Sequence, residues 1–62
     1  MKAAELRQKT EKELVELERQ LRDELFRLRM KHYSGQLQNV SELRVKRRDI
    51  ARVKTVRAEL QG

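Results

Sequence analysis

The stretch Thr10-Glu11-Lys12-Glu13-Leu14-Val15-Glu16-Leu17-Glu18-Arg19-Gln20-Leu21-Arg22-Asp23-Glu24-Leu25-Phe26-Arg27-Leu28 decides the fold. Leu14, Leu17, Leu21, Leu25 and Leu28 step by three, four, four and three positions. That spacing returns to one side of an α-helix at every step and makes a continuous apolar stripe. Phe26, beside Leu25, is expected to widen it. At the stretch's start, Thr10 and Glu13 have the spacing of a capping box, in which hydroxyl and carboxylate each satisfy a backbone N–H that the first turn leaves unpaired. Glu18 with Arg22 and Asp23 with Arg27 are acid-before-base pairs four apart, which support an exposed helix face.

Working outward, the stripe ends at Tyr33-Ser34-Gly35-Gln36, where a glycine can close a helix in the left-handed conformation at little steric cost. Asn39 and Ser41 both offer an N-cap for a second helix, in which Leu43, Ile50, Val53 and Leu60 resume apolar spacing. The expected fold is all-α: a first helix over about 10–33, a turn over about 34–39 and a second helix over about 40–60. Two helices of about 20 residues, each about 30 Å long, cover each other's stripes only when antiparallel. The result is a long αα-hairpin.

Composition agrees. A chain of 62 residues without Cys or Pro and with glycine only at 35 and 62 has neither a disulfide framework nor the turn punctuation of a β fold. It forms one small domain, residues 1–62, near the lower size limit of an independent core. No run of apolar residues is long enough for a membrane span. The opening Met1-Lys2-Ala3-Ala4-Glu5 leads into charged sequence rather than a signal peptide, so a cytoplasmic protein is expected.

The net charge of +6 is unevenly placed. Between positions 44 and 57, Arg44, Lys46, Arg47, Arg48, Arg52, Lys54 and Arg57 face a single acid, Asp49. Arg44, Arg48 and Arg52 recur every four positions and form a ridge, with Arg47 and Lys54 at its border. Guanidinium groups bind phosphate oxygens bidentately, and a rail of them can meet successive phosphates of a nucleic-acid strand. Arg27, Arg29, Lys31, His32, Tyr33 and Gln36 extend this surface to the hairpin tip. A membrane partner is disfavoured because the apolar side of this helix carries Val, Ile and Ala rather than bulky residues. Helix-turn-helix reading of DNA is disfavoured because it needs steeply crossed helices. Phosphate and shape recognition of folded RNA fits best. The same residues also allow an alternative, a coiled-coil module that self-associates or binds an acidic partner, although Lys46, Arg47 and Arg57 interrupt a clean heptad seam.

Ser34-Gly35-Gln36-Leu37, the run Arg47-Arg48-Asp49-Ile50-Ala51-Arg52-Val53-Lys54-Thr55 and the opening Met1-Lys2-Ala3-Ala4-Glu5-Leu6-Arg7 together resemble the bacterial large-subunit ribosomal protein L-twenty-nine family. The resemblance covers essentially the whole chain. Lys46 departs from it, since the family more often has an apolar or small residue there. The resemblance implies a two-helix structural constituent of the large (50S) subunit, bound to 23S ribosomal RNA near the polypeptide exit tunnel. It also implies large-subunit protein twenty-three as neighbour, with trigger factor and signal recognition particle docking at that site. The family motif maps onto Ser34, Gly35, Gln36, Arg47, Arg48 and Arg52. The cationic surface adds Arg29, Lys31, Arg44 and Lys54 to these RNA-binding candidates.

Other functions find little support. His32 is the only histidine and there is no Cys, so no metal or cofactor site is expected. His32 is read as capping the first helix or touching RNA, and Tyr33 as packing at the tip in preference to stacking on a base. Glu11, Glu13, Glu16 and Glu18 diverge around a helix and are read as a solvated face. No nucleophile with a base partner and no phosphate loop is present, so catalysis is not expected.

Overall fold

The Thr10–Glu13 capping box forms: Glu13 N–H donates to Thr10 Oγ1 at 3.2 Å, and Glu13 Oε1 accepts from Thr10 N–H at 3.0 Å. From that cap a helix runs over Glu11–Tyr33 in the computed structural model, which describes residues 1–36 and 39–62. It is preceded by a short helix, Ala3–Arg7, and followed by a long one, Ser41–Gln61. In chain order these are α1, α2 and α3. The two long helices pack antiparallel, as expected, in a molecule 40 × 17 × 16 Å. The hairpin is thus about as long as its helices.

Gly35 ends α2 with φ +80°. Its N–H reaches His32 O at 3.1 Å and the N–H of Gln36 reaches Lys31 O at 2.8 Å, so two of the last carbonyls are satisfied by the closure that a left-handed residue permits. Within the expected turn, Leu37 and Gln38 lie outside the described residues. Neither N-cap candidate for α3 takes that position, which falls to Val40 without a side-chain cap; Asn39, one residue earlier, closes a turn onto Ser41. Its Oδ1 accepts from the Ser41 backbone N–H at 3.0 Å and from the Ser41 hydroxyl.

Leu14, Leu21 and Leu25 of α2 bury themselves against Leu43, Ile50, Val53 and Val56 of α3, with Leu17 and Leu28 at the margins. Two expectations fail here. Phe26 is 61% exposed, because one residue beyond Leu25 is about 100° further round the helix, which carries it off the stripe. Leu60 is 52% exposed, because Gln61 already lies beside Glu11, the first residue of α2, leaving no leucine opposite. Val56 takes its place in the core.

A third difference is α1, read from sequence only as a short opening. Leu6 is buried in the common core. Arg52 Nη1 donates to Met1 O at 2.9 Å and Arg7 pairs with Glu59, so α1 runs parallel to α3 along its C-terminal half. Polar straps also join the long helices. Lys46 Nζ pairs with Glu24, which accommodates the residue that departs from the family pattern, and Arg57 Nη1 lies 3.4 Å from Glu18 Oε1. Glu18 also holds Arg22 at 3.2 Å, while Asp23 pairs with Arg19 at 3.1 Å rather than with Arg27.

Candidate nucleic-acid interface

The sequence-predicted residues sort by how much of their bonding capacity the fold already uses. Arg44, Arg47, Arg48 and Lys54 are exposed on α3, and Lys31 is exposed in the last turn of α2. Arg29, two residues earlier, is half-buried. None of these six has an ion-pair partner among the described residues. Arg7, Arg19, Arg22, Lys46 and Arg57 by contrast are all matched to carboxylates. Lys2, Lys9, Lys12 and Arg27 also lack such a partner among the described residues, but the guanidiniums left unneutralised cluster on α3 and toward the tip, where they are available to phosphate.

Arg52 differs from its ridge neighbours. Besides donating to Met1 O, its Nη1 stands 3.6 Å from Asp49 Oδ1, and Asp49 is only 8% exposed. The only acid of the 44–57 segment is thus tucked against the protein and turned to Arg52. The ridge consists of Arg44 and Arg48 in the open, with Arg52 drawn toward the chain's first residue.

At the tip, Ser34 and Gly35 are occupied with closing the helix. The Ser34 hydroxyl donates to Lys31 O at 3.0 Å, and an added Cβ at Gly35 meets no atom within 4 Å, so one side of that residue is open. Gln36 is exposed, its backbone N–H committed to Lys31. Beside them lies a groove of about 320 Å³, with Val40 and Leu43 among its lining and with Arg29, Arg44 and Arg47 at its walls. Tyr33, expected to pack at the tip, is instead 74% exposed and lines this groove together with His32. The two rings are 6.0 Å apart and tilted by 50°, so they are not stacked in parallel.

Residues 4–59 match the family model described as ribosomal L29 protein. The chain belongs to that family. It is 57% identical over 56 residues to the large ribosomal subunit protein uL29 of Carboxydothermus hydrogenoformans, a match covering 90% of this chain and 81% of that protein. It is 53% identical over 57 residues to uL29 of Nocardia farcinica, covering 92% and 72%. With uL29 of Geobacter sulfurreducens it shares 40% identity over 62 residues, the whole of both chains.

For this L29-family chain, sequence reasoning missed the inner wall of the tip groove, Val40 and Leu43. The signal was available in the hairpin itself. An antiparallel pair brings together residues equally far from its turn, so Tyr33 and Arg29 necessarily approach Arg44 and Arg47.

Proposed function

We propose that this chain is a structural, non-catalytic constituent of the large ribosomal subunit in the cytoplasm, folding as one unit and binding large-subunit ribosomal RNA. The observation that carries this reading is a group of unmatched cations on α3 and at the tip, Arg29, Lys31, Arg44, Arg47, Arg48 and Lys54, on a chain of the ribosomal L29 family. These side chains contact phosphates, with Arg52 adding its unoccupied nitrogens, while Ser34, Gly35 and Gln36 bring the tip backbone close to RNA. Each matched phosphate releases condensed counterions, so affinity is steeply salt-dependent.

The chain sits near the polypeptide exit tunnel with large-subunit protein twenty-three as neighbour, and trigger factor and signal recognition particle dock there. A second stripe supports a protein contact: Val15, Phe26 and Met30 are exposed and share the outer side of α2, at spacings that return to nearly one azimuth. A stripe of this kind is covered by a protein neighbour more readily than by phosphates.

The test is sedimentation of a tagged copy from bacterial lysate at low salt and again at about 0.5 M salt, which screens surface charge to within a few ångströms. Comigration with the large subunit at both salts is expected. Recovery only at the top of the gradient, as a helical self-associated species, overturns the reading in favour of the coiled-coil module.

A further inference from the structure

Tyr33 is unlike the other aromatic residue of this chain. Phe26 is exposed on the outer side of α2, whereas Tyr33 lines the tip groove together with Arg29, Arg44 and Arg47. An exposed tyrosine that shields no core contributes little to folding. Its ring face, not stacked on that of His32, is available to a flat partner.

We propose that the tip groove receives one unpaired RNA nucleotide, with its base stacked on Tyr33 and its flanking phosphates held by Arg29, Arg44 and Arg47. The proposal rests on the RNA-binding reading above and adds where, and in what form, RNA is read. The groove's size, about 320 Å³, is at the lower end of the range for small-ligand clefts and suits a single base rather than a duplex. Paired bases are stacked on their neighbours and offer no free π-face, so only a bulged, looped or terminal nucleotide can occupy it. The guanidiniums attract anions generally, and the ring that shares the groove with them selects an anion carrying a planar group. Val40 and Leu43 give the groove an apolar wall for the base edge. Stacking of this kind tolerates any base, so the subsite selects an unpaired nucleotide over a paired one rather than a sequence.

Tyr33 is the sole tyrosine and there is no tryptophan, so the intrinsic emission of the full chain reports on that ring alone. The probes are a short RNA hairpin with one bulged adenosine, the same hairpin fully paired, and polyglutamate. The bulged hairpin is expected to quench the emission, while the paired one binds with a similar salt slope and leaves it largely unchanged. Tyr33→Leu weakens binding of the bulged hairpin about tenfold and leaves the paired one as it was, and Tyr33→Phe restores the affinity. Equal affinities of Tyr33→Leu and the unaltered chain for the bulged hairpin overturn the subsite while leaving RNA binding intact. Displacement of the bulged hairpin by polyglutamate at equal charge overturns it in favour of an acidic protein partner. Failure of the unaltered chain to bind either hairpin, together with its absence from the large subunit on gradients, overturns the RNA-binding reading as well.

Discussion

Arg7 on α1 and Glu59 near the end of α3, 52 positions apart, form a two-point ion pair with Nε to Oε2 at 3.1 Å and Nη2 to Oε1 at 3.2 Å. The hydrogen bonds and the attraction of opposite charges raise the Arg7 pKa above its usual value and lower that of the Glu59 carboxyl. Both side chains are well exposed, so the pair orients α1 more than it stabilises the fold. Leu6, buried one residue away, carries the docking energy. Leu6→Ala is expected to cost about 2–5 kcal/mol, and Arg7→Gln far less, because an exposed ion pair contributes little to stability. Urea unfolding followed by circular dichroism separates the two.

Acid should loosen the capping box. The Glu13 carboxyl is held below its usual value, first by the Thr10 backbone N–H and then by the Thr10 hydroxyl. A lowered carboxylate pKa contributes stability that is complete above the unfolded value of about 4.5 and is lost as pH falls through the lower folded value. Helicity is therefore expected to hold from neutral pH down to about 4.5 and to decline below it. In Glu13→Gln the contribution of this residue to that decline disappears, which a pH titration of helicity on both chains checks. Glu16 and Glu59 are lowered as well, each chiefly by an arginine hydrogen bond, so part of the decline remains.

Gly35 provides a test of backbone conformation free of steric crowding. Its φ of +80° is costly for an L-residue, yet a Cβ there meets nothing within 4 Å. Gly35→Ala should cost about 1–2 kcal/mol from the dihedral alone. A chemically synthesised chain with D-alanine at this position should match or exceed the parent in thermal stability, because D-residues favour positive φ. Equal loss with either enantiomer excludes the dihedral as the cause.

The triple replacement Arg44→Gln, Arg47→Gln and Arg48→Gln removes charge that the fold does not use. Helicity should be unchanged, while the slope of log affinity for large-subunit RNA against log salt flattens by roughly 2–3. Replacing Arg7, Arg19 and Arg22 instead, all matched to carboxylates, should flatten it far less. Filter binding across a salt series reads both.

The long helices were legible because their signals are local: leucines at three- and four-residue steps, and Thr10 three residues before Glu13. What escaped was set by contacts distant in sequence. The five residues of α1 are too few to display a period, and its helix depends on Leu6 finding the face of α3. The commitment of Arg52 to Met1, 51 positions away, leaves no local mark. The apolar spacing picks out Leu60 as core and passes over Val56, because only the start of α2 determines which one meets a leucine. The cations were legible as a group, but their division into matched and unmatched depended on where the carboxylates of α2 fall across the hairpin.

The straps from α1 and from Glu11 lie along the C-terminal half of α3, toward one pole of the 40 Å axis, while the unpartnered guanidiniums of the groove stand toward the other. Residues so far apart share no neighbours, so the energetic effects of altering them are expected to be independent. A double variant with Leu6→Ala at the strapped pole and Tyr33→Leu at the open one should then lose stability and affinity by the sum of the single changes. Foldedness and ligand choice can therefore drift separately in a chain this small.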